Sequence, residues 1–155
     1  APKNGKLYEA IGGSWMVPSS LIQEGRFDEI QAIAQSAVTK MLDLKLAHIG
    51  INAADEGEAH QIAQFFETVF GFEARENPSS IFSDTYVETL KSPYLGEKGH
   101  IAISTPNVER VMTYLEKRGV AFNQESIVRR PNGLIQAVYF QKETGGFAIH
   151  LVRKD

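Results

Sequence analysis

Apolar residues recur at helical spacing in three segments of the chain, and strand-like apolar runs lie between these segments. The first predicted helix covers residues 26–41, the second residues 55–70, and the third begins near residue 106 and ends before Gly119. Short strands are predicted before, between and after the helices, at residues 11–17, 45–52, 72–76, 80–82, 85–91, 100–104, 120–122, 134–141 and 147–153. The chain therefore combines helices and strands, with most of its strands after residue 44.

From about residue 44 onward, the sequence contains nearly the same pattern twice. "LAHIGIN" and the helical "EAHQIAQFFETVFGF" return as "KGHIAIS" and "NVERVMTYLEKRGVAF", and "TYVETLK" has its counterpart in "GFAIHLV". His48 thus corresponds to His100, and Glu88 corresponds to His150. A duplicated module that closes around matching side chains predicts a metal site at the axis between the copies.

Strand alternation places the His48 and His100 side chains away from the helices. His48 shares a face with Gly50, and His100 shares a face with Ala102. The alternation also directs His150 away from its predicted helix, whereas only the match to His150 directs Glu88 inward. Three imidazoles and one carboxylate suit Zn²⁺, Ni²⁺, Fe²⁺ or Mn²⁺, and the ligand types do not choose among these ions. The alternative is a metal-free polar pocket.

Composition narrows the possible functions. The chain has no cysteine, so metal ligands must come from His, Asp or Glu, and a cytoplasmic location is expected. A net charge of −3 gives no reason to expect a nucleic-acid or anionic-membrane partner. We see no apolar run of membrane-spanning length in the sequence. His60 lies on a predicted helix without a counterpart in the other copy, and we expect it to face solvent.

The repeat resembles the vicinal oxygen chelate superfamily, which includes glyoxalase I, extradiol dioxygenases and methylmalonyl-CoA epimerase. The resemblance covers residues 42–155 and implies an α+β fold of two βαβββ modules forming an open barrel around a divalent metal ion. It implies that His48, Glu88, His100 and His150 are the ligands. Glyoxalase-like members usually have glutamate at the position of His150, where it can act as catalytic base. His150, which lies at this position, and Glu88, which lies at the matching position of the first copy, are the candidate catalytic residues.

The segment "AIGGSWMVPSSLIQEGRFDEIQAIAQSAV" resembles the last strand and closing helix of class I aldolases for 2-keto-3-deoxy-6-phosphogluconate and 4-hydroxy-2-oxoglutarate. We assign residues 1–41 to this part, as a strand and an amphipathic helix. The resemblance implies that Gly12, Gly13 and Ser14 bind a phosphate, while the alternative is that the glycines only permit a tight turn. The Schiff-base lysine has no counterpart here. We interpret the chain as the C-terminal part of an aldolase fusion or as a truncated product of one.

The leading functional hypothesis is a metal-dependent enzyme domain for a small keto-acid or sugar-acid metabolite. Tyr86, Tyr139 and Arg129 are candidate substrate contacts, although aromatic strand residues are more often core and hairpin arginines are more often solvated. The alternatives are a regulatory metabolite-binding module and an oligomerisation module. Unpaired strand edges at "GGSWMV" also lead us to expect a homo-oligomer.

Overall fold

The computed structural model describes residues 12–154, and the chain divides into two compact units, Ala1–Met41 and Leu42–Asp155. In the first unit, a 3₁₀ turn at Ser14–Met16 precedes the short helix α1, Ser19–Gln23, and the long helix α2, Phe27–Leu42. The amphipathic helix predicted at residues 26–41 is confirmed by α2. No described helix is long and apolar enough to cross a membrane.

The strand predicted at residues 11–17 is wrong over its described part. Gly13 and Ser14 carbonyls accept hydrogen bonds from the amides of Met16 and Val17, at 3.1 Å in both cases. These local bonds satisfy backbone groups that an isolated strand would leave without partners. Trp15 is 57% exposed, so the segment is not the buried strand that its apolar residues indicated. Residue 11 lies outside the described residues.

The second unit contains the predicted duplication. The first copy comprises β1, Lys45–Asn52; α3, Glu56–Phe70; β2, Ala74–Glu76; β3, Ser80–Ser83; and β4, Val87–Leu90. The second copy comprises β5, His100–Thr105; α4, Val108–Glu116; β6, Val128–Arg129; β7, Ile135–Tyr139; and β8, Ala148–Arg153. The predicted α+β fold with two βαβββ modules is therefore confirmed. The strand predicted at residues 120–122 is reduced to a single bridge between Phe122 and Phe140.

All eight strands form one open sheet in the order β2-β3-β4-β1-β5-β8-β7-β6. The two copies meet where β1 pairs with β5 in antiparallel orientation. Each of these central strands also pairs with the last strand of its own copy in parallel orientation, β1 with β4 and β5 with β8. This arrangement brings the four histidine- or glutamate-bearing strands side by side.

Within the second unit, α3 and α4 cover one face of the sheet and leave the other face for the site. α3 packs on β3 and β4, over a core of Ala53, Ala59, Ala63 and Ile81. α4 packs on β7 and β8 and buries Val108, Val111 and Met112. The Asp55 side chain caps α3 by accepting a hydrogen bond from the amide of Glu58, and Gly71 ends the helix at a φ of 73°. The opposite, concave face carries the predicted ligands.

Candidate metal centre

The predicted ligands lie in two neighbouring rows that cross the concave face of the sheet. In one row, Gly50 of β1 pairs with Glu88 on one side and with His100 on the other. In the next row, Ala102 of β5 pairs with His48 on one side and with His150 on the other. A small residue thus separates the two larger ones in each row. The register confirms the predicted correspondence of His48 with His100 and of Glu88 with His150.

Three ligand atoms converge on one point. The Nε2 atoms of His48 and His100 are 3.2 Å apart, and each lies 3.2 Å from Oε2 of Glu88. Two ligands bound to one divalent ion at about 2.1 Å are roughly 3.0–3.4 Å from each other in octahedral or tetrahedral geometry. Ring nitrogens of His48, His100 and His150 also lie within 4.8 Å of one another. The residues therefore fit a divalent ion, with a modest inward shift of His150.

Burial adds a second reason to expect a bound group. His100 is 1% exposed and His150 is 6% exposed. Both ring nitrogens of His150, and Nδ1 of His100, are buried without a hydrogen-bond partner among the described residues. A buried polar atom without a partner costs about 1–3 kcal/mol. A metal ion at the convergence point would give His150 a partner and offset part of this cost.

The electrostatics keep Glu88 charged and His150 neutral. Burial acts to raise the pKa of the Glu88 carboxyl, but hydrogen bonds with His100, His48 and Ser80 outweigh burial and hold the pKa well below its usual range. Burial, assisted by the neighbouring His100 and His48 rings, lowers the pKa of His150 to about 3. At neutral pH the site therefore offers a carboxylate and an unprotonated imidazole, which are the forms that bind metal ions.

Gly50 leaves room for the His100 ring, a contact that the sequence alone did not identify. A Cβ atom at this position would lie 2.0 Å from Cε1 of His100 and 2.3 Å from its Nε2. The His100 imidazole therefore occupies the space above Gly50. The sequence signal for this contact was a glycine at a ligand-facing strand position, with Ala102 at the matching position of the second copy.

Ser80 orients the carboxylate and was also not identified. Its hydroxyl lies 2.6 Å from Oε1 of Glu88, and Oε2 is the oxygen that faces His48 and His100. One carboxylate oxygen is thus held by a serine while the other faces the imidazoles. Such outer contacts fix the orientation of metal ligands.

The predicted substrate contacts have different surroundings. Tyr139 stacks on His150 with 4.6 Å between ring centroids and an interplanar angle of 15°. Burial, with Tyr94 and Glu88 nearby, raises the pKa of Tyr139 well above its usual range, so its phenol stays protonated. Tyr86 is 59% exposed and packs against Phe72. Arg129 is exposed and donates a hydrogen bond to the carbonyl of Gly133.

A second group of possible ligands has another explanation. Glu56, His60 and Glu76 lie together on the surface. The Lys91 ammonium pairs with Oε1 of both glutamates, so a cation from the protein already lies between the two carboxylates and offsets part of their charge. His60 is exposed, as predicted. In the first unit, Gly12, Gly13 and Ser14 are exposed, and the predicted phosphate contact there stays a prediction.

No protein-family model and no curated protein sequence matches the chain. Among solved structures, it is similar to methylmalonyl-CoA epimerase from Mycobacterium tuberculosis, with 16% identity, a TM-score of 0.52, and coverage of 74% of this chain and 90% of that one. A variant Streptomyces coelicolor methylmalonyl-CoA epimerase in complex with 2-nitronate-propionyl-CoA has 18% identity, a TM-score of 0.51, and coverage of 71% and 96%. A hypothetical protein from Bacillus halodurans has 17% identity, a TM-score of 0.51, and coverage of 72% and 95%. These likenesses show a vicinal oxygen chelate, or glyoxalase-like, fold.

Proposed function

We propose that residues 42–155 bind one divalent metal ion, Zn²⁺, Ni²⁺, Fe²⁺ or Mn²⁺, through His48, Glu88, His100 and His150. A small metabolite with neighbouring oxygen atoms would bind at this centre. The observation that carries the proposal is the triangle of two imidazole nitrogens and one carboxylate oxygen, each 3.2 Å from the other two, on the concave face. Such an ion would supply Lewis-acid chemistry, polarising a carbonyl oxygen or lowering the pKa of a water molecule.

The protein's own residues then have distinct parts. Because the pKa of His150 is lowered to about 3, its ring is a poor proton acceptor at neutral pH, and we assign it to metal binding rather than to general-base catalysis. The low pKa of Glu88 supports the same assignment. Tyr139 covers the His150 ring, and its protonated phenol can donate a hydrogen bond to a ligand oxygen. We therefore propose metal binding for both His150 and Glu88, while their predicted catalytic role stays a prediction.

The proposed metabolite class is a keto acid or sugar acid. Several structural neighbours are methylmalonyl-CoA epimerases, and one of these structures is a complex with methylmalonyl-CoA. That ligand is an oxygenated acyl compound, which is compatible with a site built for neighbouring oxygens. A lyase activity from an attached aldolase barrel stays a prediction that rests on the sequence resemblance of residues 1–41.

A non-catalytic metabolite-binding or regulatory module is the second candidate. The observation that favours it is His150, because this neutral imidazole stands where glyoxalase-like members usually carry a basic carboxylate. Either function is compatible with the homo-oligomer that we expect, for which multi-angle light scattering gives the mass directly.

The test is metal retention followed by turnover. Protein purified without chelators and incubated with each of the four ions is passed through a desalting column, and bound metal is measured by mass spectrometry. We expect one ion per chain, reduced to background in His48→Ala and His100→Ala. A screen of 2-oxo acids and sugar acids with the metal-loaded protein then separates the candidates, since turnover supports an enzyme and saturable binding without turnover supports a module. Absence of retained metal in the wild-type protein would contradict the proposal.

A further inference from the structure

The row of side chains that contains Glu88 continues to the edge of the sheet. Glu88 of β4 pairs with Phe82 of β3, and Phe82 pairs with Arg75 of β2. Directly paired residues point to the same face of a sheet, so Arg75 lies on the concave face with Glu88 and His100. Two strand spacings separate Arg75 from Glu88, which is about 10 Å between Cα atoms.

A cavity of about 410 Å³ brings this arginine to the metal centre. His48, one of the proposed ligands, lines the cavity together with Arg75 and Phe82. The edge of the Phe82 ring packs against the His48 ring, with 5.3 Å between centroids. A ligand in this cavity would therefore contact His48 of the proposed metal site and the Arg75 guanidinium.

The three cations that line the cavity are not equally available. The Lys154 ammonium lies 2.7 Å from Oδ2 of Asp43, and Arg153 is buried and paired with Glu109. Arg75 donates one hydrogen bond, to the backbone carbonyl of Asp84, and has no carboxylate partner among residues 12–154. Of these three cations, Arg75 alone keeps its charge available for an anionic ligand.

We infer that Arg75 binds an anionic group of the metabolite, a carboxylate or a phosphate, while neighbouring oxygens of the same molecule lie at the metal centre. The inference rests on the proposed function, because the metal anchors the other end of the ligand. Guanidinium binds carboxylate and phosphate through two parallel hydrogen bonds, which favours an anion over a neutral group of similar size. Arg75 is thus a specificity-determining residue for acidic metabolites.

The test compares metal-binding probes that differ in their distal group. Acetohydroxamate carries only the chelating head, succinate monohydroxamate adds a carboxylate, and phosphonoacetohydroxamate adds a phosphonate. Calorimetry on the Zn²⁺-loaded full chain gives the dissociation constant of each probe. The variants are Arg75→Gln, Arg75→Lys and Arg118→Gln, the last being a control that removes the same charge from an arginine stacked on Tyr114 of α4.

We expect at least one anionic probe to bind about tenfold or more tightly than acetohydroxamate. This advantage should fall below about twofold in Arg75→Gln, be partly kept in Arg75→Lys, and be unchanged in Arg118→Gln. The probe with the larger Arg75-dependent advantage identifies the anion as carboxylate or phosphate. Acetohydroxamate should bind equally to all variants, which shows that the metal site is intact.

Two outcomes would overturn the inference in distinguishable ways. In the first outcome, acetohydroxamate binds, but the anionic probes bind no more tightly than it does, or they keep their gain in affinity in Arg75→Gln. Arg75 then does not bind the ligand, and the proposed metal function still stands. If acetohydroxamate fails to bind the wild-type protein, the proposed function fails and this inference fails with it.

Discussion

Replacing Gly50 by alanine tests whether the close approach of β1 to the His100 ring is essential for the site. The new methyl carbon would lie 2.0 Å from Cε1, 2.2 Å from Nδ1 and 2.3 Å from Nε2 of His100. Non-bonded heavy atoms normally approach to about 3.5 Å, so the ring must move by more than about 1 Å. Metal–ligand bonds tolerate roughly 0.2 Å, so a ring displaced this far could no longer bind an ion at the proposed position.

The expected result for Gly50→Ala is a loss of metal affinity of at least about 100-fold, which corresponds to about 2.7 kcal/mol. Overpacking also costs about 1–3 kcal/mol of stability, so circular dichroism at low temperature must first show that the variant is folded. Affinity is measured by competition with a chromophoric chelator. Gly57→Ala is the matched control, because its Cβ would meet only Oδ1 of Asp55, at 3.1 Å. A folded Gly50→Ala protein with wild-type metal affinity would show that metal binding does not depend on the space that Gly50 leaves for the His100 ring.

Three further predictions concern the same centre. Ser80→Ala removes the 2.6 Å contact to Glu88 and should weaken metal binding by about 10-fold. Ser83→Ala is the control and should leave metal binding unchanged, because it removes a buried hydroxyl that has no partner in the described part of the chain. Equal affinities of the two variants in the chelator competition would contradict this. His150→Glu should still retain one ion per chain by mass spectrometry, since a carboxylate can replace an imidazole as ligand; complete loss of the ion would contradict this expected exchange of ligands. Without metal, the pKa of His150 is about 3 in the folded protein, against an ordinary value of 6.5. Between these pH values the unfolded chain binds a proton that the folded protein does not, so the stability of the folded protein falls as the pH is lowered. Chemical denaturation should show about 1.5 kcal/mol lost from this group between pH 6.5 and pH 5, and His150→Gln should abolish that part of the slope; an unchanged slope would contradict the assignment.

The sequence predicted the duplicated fold and the relation between the ligand positions because both depend on local patterns. Each copy repeats the same alternation of strands and helix, and the matching positions of His48 and His100 follow from counting along the strands. The face of Glu88 could not be decided by alternation alone, because both faces of its strand carry apolar residues. The pairing of Glu88 with Gly50, which decides it, joins residues far apart in the sequence.

The remaining features required long-range packing. Ser80 reaches Glu88 only because β3 and β4 pair with Ser80 opposite Leu90, and no pattern in the sequence gives that register. Arg75 joins the same face through two successive strand pairings. Over residues 12–17, the strand prediction was wrong because an apolar run predicts burial, whereas strand formation also requires a neighbouring strand to pair with its backbone.

A crystal structure of the metal-loaded protein, with anomalous scattering recorded at the absorption edge of the ion, would show whether the three histidines and Glu88 bind one ion. We expect a single strong anomalous peak on the concave face, about 2.0–2.2 Å from Nε2 of His48, Nε2 of His100, a Glu88 carboxylate oxygen and one ring nitrogen of His150. A peak at another position, or bound metal without contact to His48 and His100, would contradict it.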